Sequence, residues 1–261
     1  ASAALGRMLT GAALLGASLK EFDRLTVRID ADGPIGGMIV EANNSGYVRG
    51  YVRNPTAELP PKPDGKFDVR GIVGGGMFHV MRESGFELGL HREPYIGSVP
   101  ITSGEIAEDF AFYLAKSEQI PSAVMLGVLL QNTEPFVTAS GGVMIQMMPG
   151  VNDHIVTMIE DTVAHAPHLT SVIKDGATPE DLLKIVLGVI DFEILDEKAV
   201  SFKCTCSVER AASMIAALGM DEVVSMKAED KGAVMNCGFC NETYDLDESH
   251  LDSILQGLAN N

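Results

Sequence analysis

All four cysteines of the chain lie in its last quarter, in two close pairs. Cys204 and Cys206 form a C-x-C, and Cys237 and Cys240 form a C-x-x-C. Two close pairs that are separated by a folded stretch can supply four thiolates to one tetrahedral zinc ion. The same pairs could instead close into two local disulfides. A cluster that can do both is a candidate redox switch.

The residues around each pair predict the local structure that would present the thiols. Ser207 is a good N-cap for a helix over residues 208–218, which Gly219 would end. The positive end of that helix would favour a thiolate at Cys206. Residues 232–236 and 242–246 predict a hairpin with the C-x-x-C at its turn. The hairpin favours a metal knuckle, because a thioredoxin-like motif places its first cysteine at the start of a helix.

Other uses of the cysteines are weaker. Four unrelated buried thiols are disfavoured by the regular pairing. Permanent disulfides are disfavoured because no signal peptide is visible and the cytosol keeps thiols reduced, so we expect a cytoplasmic protein. A dithiol oxidoreductase stays open as an alternative, and it would turn over small disulfides without a metal. No acid–base constellation stands out, so no catalytic residue is assigned and we expect a protein that is not an enzyme.

The charge balance bears on the possible partners. The formal net charge is −17 at pH 7, and such a chain repels phosphate backbones. The cysteine-bearing end is acidic too, since residues 200–255 contain ten acidic and four basic side chains. A zinc-stabilised nucleic-acid or regulatory module is therefore a weaker alternative, and we expect no nucleic-acid partner. The apolar runs are interrupted well short of about 20 residues, so no membrane span is expected.

The order of elements predicts an α+β fold in three parts. Residues 1–150 would form a layered sheet-and-helix core, residues 151–199 a linker of amphipathic helices, and residues 200–258 a small zinc-binding α+β module. In the core, Thr102 and Glu105 resemble a capping box in front of a helix. The apolar runs at 124–130 and 142–147 fit two buried strands or a strand and a helix. The other core predictions are a helix over 1–19 and strands at 25–30, 36–40, 46–52 and 67–73.

The linker is predicted to be helical over residues 151–174 and again after Thr178. Thr178 and Pro179 give a strong helix start, and Gly188 ends the pattern. Helical spacing turns Glu180 and Lys184 toward water. The inward face consists of four apolar residues: Leu182, Leu183, Val186 and Leu187. Such a face must pack on a neighbour or expose an apolar patch.

Several motifs carry a resemblance to a known family. They include Phe202-Lys-Cys-Thr-Cys-Ser and Cys237-Gly-Phe-Cys-Asn-Glu-Thr-Tyr near the end, and Tyr51-Val-Arg-Asn-Pro, Ser117-Glu-Gln-Ile-Pro-Ser and Gly141-Gly-Val-Met-Ile-Gln-Met-Met-Pro upstream. The chain resembles, over nearly its whole length, the 33 kDa chaperonins, which are bacterial heat-shock holdases that oxidation activates. That family has a further strand before the helix near Ala3, so we expect this chain to lack a first segment.

The resemblance implies both a cofactor and a partner. Cys204, Cys206, Cys237 and Cys240 would bind one zinc ion per chain in a reduced, inactive form. Oxidation would pair Cys204 with Cys206 and Cys237 with Cys240. The partners would be unfolded or oxidatively damaged client proteins, held without ATP. A homodimer is one expected form of the activated protein.

Elementary chemistry connects these expectations. Each disulfide removes two ligands from the zinc ion, and a small module then loses its main support. The linker would release its inward face, and Leu182, Leu183, Val186 and Leu187 would gate or bind the clients. The acidic net charge would help to keep the complex soluble.

Overall fold

The computed structural model describes residues 1–90 and 93–259. The chain divides into two compact units, Ala1–Phe202 and Lys203–Asn261. Both units combine helices with strands, so the predicted α+β class is confirmed. The separate linker domain over residues 151–199 stays a prediction, and the compact unit that ends at Phe202 contains those residues.

The first unit contains eight strands and six helices within the described residues. The strands are β1 (Arg24–Ala31), β2 (Met38–Asn43), β3 (Tyr47–Val52), β4 (Gly76–Glu83), β5 (Tyr95–Pro100), β6 (Ser122–Leu130), β7 (Val137–Gln146) and β8 (Ser201–Phe202). The helices are α1 (Ser2–Ala17), α2 (Val69–Val73), α3 (Ala107–Lys116), α4 (Asp153–His165), α5 (Leu169–Lys174) and α6 (Pro179–Leu187), with a 3₁₀ turn at Phe86–Leu88. A six-stranded sheet has the order β5-β4-β1-β2-β3-β8, and β6 pairs with β7 in a separate antiparallel hairpin.

Helix α1 joins the two sheets. It packs against β2 and β3 of the large sheet and against β6 and β7 of the hairpin. Met8, Ala12 and Leu15 are buried on its core face. Gly11 allows a close approach, because a Cβ at this position would overlap the ring of Phe110. The unit is therefore layered, as predicted, and both apolar runs left open between strand and helix are strands.

Two local predictions in the part of this unit before β6 are wrong. Residues 67–73 are not a strand, because the Asp68 carboxylate accepts from the Gly71 N–H at 2.9 Å and caps helix α2. The capping box of Thr102 and Glu105 does not form. The buried Asp109 carboxylate instead accepts from the backbone N–H of Thr102 at 2.8 Å and starts α3 five residues later.

The chain after β7 is helical, as predicted, but the first predicted helix is interrupted. The helix predicted over 151–174 is two helices, since Ala166 is extended before Pro167, as the residue before a proline prefers. The predicted start of α6 is confirmed. The Asp181 N–H donates to the Thr178 hydroxyl at 3.2 Å, and the Asp181 carboxylate accepts from the Thr178 N–H at 2.9 Å.

The second unit is a hairpin with three helices. Its elements are α7 (Val208–Ala216), α8 (Met220–Glu229), β9 (Gly232–Asn236), β10 (Thr243–Asp247) and α9 (Glu248–Ala259). Its buried cluster is small and consists of Ala211, Ile215, Val223, Leu246, Leu251 and Ile254. Within the described ranges, no helix combines the length and apolarity that a membrane crossing requires.

Candidate metal centre

The second unit brings the four cysteine sulfurs together. The Cys204 Sγ lies 3.3 Å from the Cys206 Sγ and 3.6 Å from the Cys237 Sγ. The Cys206 Sγ lies 3.4 Å from the Cys240 Sγ. All four sulfurs are within 4.8 Å of one another, and each cysteine is half-buried. The two pairs, which are some thirty residues apart in sequence, thus form one cluster.

The spacing of the sulfurs can be compared with two chemical states. A disulfide needs sulfurs about 2.05 Å apart, which is much shorter than these separations. A tetrahedral zinc ion with Zn–S bonds of about 2.3 Å needs sulfurs about 3.8 Å apart along each edge. The measured separations, from 3.3 Å up to the 4.8 Å limit, bracket that edge. The donor set and its spacing therefore fit a tetrathiolate metal site.

The C-x-x-C pair is presented by the turn of the β9–β10 hairpin, as predicted. Asn236 pairs with Thr243 at the end of the ladder. The Cys237 N–H then donates to the Glu242 carbonyl at 2.8 Å, and the Asn241 N–H donates to the Cys237 carbonyl at 2.8 Å. Asn241 has a φ of 60°, a left-handed conformation that asparagine tolerates. This turn directs both thiols to the same side.

The C-x-C pair is held from the first turn of α7. The Ser207 hydroxyl accepts from the Arg210 N–H at 3.3 Å, so the predicted N-cap is confirmed. The Arg210 guanidinium donates back to Thr205, at 3.1 Å to its carbonyl and 2.8 Å to its hydroxyl. Thr205 lies between the two cysteines, so this clamp fixes the backbone that carries them. The sequence offered no signal for it beyond an arginine one turn into the helix.

The thiols affect one another electrostatically. The Glu242 backbone N–H lowers the pKa of Cys240, but the Cys206 thiol, burial and the other two thiols raise it further, to about 12. Four thiolates cannot share this space unless a cation compensates their charge, and a bound metal deprotonates the thiols that coordinate it. A hydrogen bond with Cys206 also raises the pKa of Tyr244. Tyr244 is a neighbour of the cluster that spacing arguments did not identify.

The residues predicted to gate client binding lie in the first unit. Leu182 is 7% exposed and Val186 is 1% exposed, while Leu183 and Leu187 are half-buried. Leu182 and Val186 share a buried cluster with Val143 of β7 and Leu169 of α5. Lys184 and Glu180 face solvent, as expected, and pair at 3.0 Å. The apolar face of α6 is thus covered by the β6–β7 hairpin and its helices.

Comparisons with known proteins agree over nearly the whole chain. The family model described as Hsp33 protein matches residues 1–247. The 33 kDa chaperonin of Desulforamulus reducens is 46% identical over 258 residues, which are 99% of this chain and 86% of that protein. The 33 kDa chaperonin of Enterococcus faecalis is 46% identical over 251 residues, which are 96% of this chain and 82% of that protein. The crystal structure of the 33 kDa chaperonin from Thermotoga maritima superposes with a TM-score of 0.87 at 35% identity, covering 100% of this chain and 87% of that one.

Proposed function

Because this chain belongs to the Hsp33 family, as its motifs predicted, we propose that it is an ATP-independent holdase that oxidation switches on. The convergence of four cysteine sulfurs within 4.8 Å is the observation that carries the redox part. The clients would be unfolded or oxidatively damaged proteins, and the compartment would be the cytoplasm, where the thiols stay reduced. No catalytic turnover is proposed.

The reduced form would bind one zinc ion through Cys204, Cys206, Cys237 and Cys240. Zinc is favoured because an all-thiolate tetrahedral set is typical of structural zinc sites. When bound, the ion would cross-link the segment before α7 to the β9–β10 turn. The second unit has a small buried cluster, and structural zinc contributes roughly 10–16 kcal/mol of apparent binding free energy to such folds. Its folding would therefore depend on the thiol ligands.

Oxidation would remove those ligands two at a time. Hydrogen peroxide converts one thiolate to a sulfenic acid, and a second thiolate displaces the sulfenic oxygen, so each disulfide consumes one peroxide and two protons from solvent and yields two waters. We propose that Cys204 pairs with Cys206 and Cys237 with Cys240, as the family resemblance implies. Disulfide formation would leave no thiolates for the metal, and the second unit would lose its cross-link.

Client binding would use the apolar face of α6 and the surface that it covers. This helix has nine residues, fewer than the roughly 12–15 that an isolated helix needs in water. Packing of Leu182 and Val186 therefore keeps it folded. We propose that unfolding of the second unit releases α6, so that Leu182, Leu183, Val186 and Leu187 or their docking surface can contact clients.

Two measurements on the same samples test the proposal. Zinc per chain is measured before and after peroxide treatment, and light scattering follows the aggregation of a heat-unfolding client with each form. We expect one zinc in reduced protein, none after oxidation, and suppression of aggregation by the oxidised form alone. Equal suppression by both forms would refute the switch. Metal-free turnover of small disulfides would instead indicate a dithiol oxidoreductase.

A further inference from the structure

The two cysteine pairs are held by different kinds of structure. Cys237 and Cys240 belong to the turn of a hairpin, where the β9–β10 ladder fixes the backbone on both sides. Cys204 and Cys206 instead lie in residues 203–207, which belong to neither a helix nor a strand. The backbone that carries the C-x-C pair therefore needs contacts of another kind to fix it.

Arg210 contacts this segment on both sides of Cys206. Its backbone N–H donates to the Ser207 hydroxyl at 3.3 Å. Its guanidinium Nη1 donates to the Thr205 carbonyl at 3.1 Å and to the Thr205 hydroxyl at 2.8 Å. Thr205 directly precedes Cys206, and Ser207 directly follows it. A single residue in the first turn of α7 thus brackets the cysteine.

The bracketed cysteine is the one at which the two pairs meet. The Cys206 Sγ lies 3.3 Å from the Cys204 Sγ and 3.4 Å from the Cys240 Sγ. A tetrahedral zinc ion would require edges of about 3.8 Å, so each separation needs to open by only about 0.4–0.5 Å. A C-x-C pair has one residue between its ligands, and few backbone conformations direct both sulfurs at the same ion. The backbone around Cys206 therefore decides whether the four sulfurs can close on one metal.

We propose that Arg210 is a positioning residue of the metal site, which orders the C-x-C segment in advance and so sets how tightly the four cysteines hold the ion. The inference rests on the proposed function, because it takes the ion to be zinc and the cysteines to be its ligands. Groups that orient metal ligands from outside contribute about 10–100-fold to metal affinity. Arg210 is exposed, so water competes for its bonds and we expect an effect near the lower end of this range.

The same contact would set the amount of oxidant that the switch requires. A disulfide between Cys204 and Cys206 brings their sulfurs from 3.3 Å to about 2.05 Å apart. This movement distorts the segment that Arg210 holds. Loss of the contact would therefore weaken zinc binding and ease disulfide formation together. We expect Arg210→Ala to release its zinc at a severalfold lower peroxide concentration than wild type.

Competition with a chromophoric zinc chelator measures the affinity of the reduced chain, and a double-mutant cycle tests the contact itself. Arg210→Ala should bind zinc roughly tenfold more weakly than wild type. Thr205→Val removes the hydroxyl acceptor without changing the shape of the side chain and should weaken binding by a smaller factor, whereas Thr205→Ser keeps the hydroxyl and is its matched control. In the Arg210→Ala background, Thr205→Val should have no further effect, because its partner is already absent. Two factors that multiply in the double variant would overturn the proposal.

A lysine at the same position separates geometry from charge. Arg210→Lys keeps the positive charge, but its ammonium is one bond closer to the backbone than the guanidinium nitrogen that contacts Thr205. We expect its zinc affinity to stay near that of Arg210→Ala. An affinity equal to that of wild type would indicate that the charge alone is sufficient, and the positioning role would be refuted.

Two further measurements distinguish positioning from a general loss of structure. In zinc-saturated Arg210→Ala, amide exchange over residues 232–247 should match wild type, and faster exchange there would assign Arg210 to the stability of the whole unit instead. With Co²⁺ in place of zinc, Arg210→Ala should shift the visible absorption bands that report the geometry of a tetrathiolate site, while Thr205→Ser leaves them unchanged. Identical bands in Arg210→Ala and wild type would contradict the inference.

The outcomes also separate this inference from the proposed function. If the wild-type chain binds zinc through its four cysteines and Arg210→Ala binds it as tightly, the inference fails and the proposed zinc site stands. If the reduced wild-type chain binds no zinc, the proposed metal site and this inference fail together.

Discussion

Replacing Val186 by aspartate should undock helix α6 in the reduced protein. Val186 is 1% exposed and packs in the cluster with Leu182, Val143 and Leu169. Aspartate is similar in size to valine, so the change mainly substitutes a charge for two methyl groups. The described contacts around Val186 are apolar, and a buried carboxylate without a partner costs several kcal/mol even after relaxation.

The magnitude follows from the side chains that hold the helix. Burying Leu182 and Val186 contributes about 1.5–3 kcal/mol each, or roughly 3–6 kcal/mol for the docked helix. The substitution removes the contribution of Val186 and adds the free-energy cost of desolvating a carboxylate. Together these exceed the free energy that the Val186 side chain contributed to docking. A free energy of opening of roughly 3–6 kcal/mol corresponds to hydrogen-exchange protection factors of about 10²–10⁴ for the α6 amides. We expect that protection to disappear.

Hydrogen exchange over residues 178–188 is the direct assay, with zinc content measured on the same sample. Lys184→Asp is the matched control, because it places the same carboxylate in the same helix on a side chain that is 58% exposed. Its loss of the Glu180 pair should cost no more than about 1 kcal/mol. If Val186→Asp stays as protected as wild type, α6 is not the gate. If it opens but suppresses no aggregation, the α6 surface does not bind clients.

Three further predictions concern the metal, the disulfides and pH. Stripping zinc from reduced protein with a chelator should abolish exchange protection over residues 203–259 and leave that of β1–β4 unchanged, and a folded metal-free second unit would contradict this. Peptide mapping after oxidation should find the near-neighbour cysteine pairs. Disulfides between Cys204 and Cys237 or between Cys206 and Cys240, whose sulfurs lie 3.6 and 3.4 Å apart, would contradict this prediction. Burial raises the pKa of Glu105, but hydrogen bonds from Lys62 and Arg7 lower it further, to below its ordinary value. These bonds therefore stabilise the fold above about pH 4.5 and are lost as pH falls through the lowered pKa. Glu105→Gln should cost roughly 1 kcal/mol at pH 7 and progressively less as pH falls through that pKa, as denaturant titration would show.

The cysteine cluster was predictable because its signals are local. Ser207 predicts the start of α7, and the residues on both sides of the C-x-x-C predict a hairpin. The local structure of each cysteine pair is therefore set by its own segment. That the pairs meet is a tertiary contact, and only the zinc interpretation of the two pairs predicted it. The contacts of Arg210 and Tyr244 with the cysteine segments were not predicted, because ordinary surface arginines and strand tyrosines have the same sequence pattern.

The errors in the first unit have a common physical cause. Apolar residues at 69, 72 and 73 fit a strand as well as a single helical turn, and the Asp68 cap decides between them. At Thr102 the chain contains both Glu105 and Asp109 as potential caps, and the buried carboxylate with more N–H donors is selected. Neither choice can be read from periodicity, because each depends on which carboxylate the fold buries. The parallel pairing of β8 is equally hidden, since two residues carry no periodic signal.

In the proposed switch, the sensor is in one unit and the client surfaces are in the other, and the distribution of buried side chains explains how this can be. The first unit has an extensive core built on α1, β1, β2 and β4, which needs no metal to exclude water. The second unit buries only a small cluster within the described residues, so we expect its stability to depend on a cross-link between its four cysteines. In the proposed switch, an oxidant would therefore unfold the second unit and leave the sheet of the first unit intact. The part of the first unit that we propose to respond is α6, a nine-residue helix that is held by few contacts that its neighbours do not need.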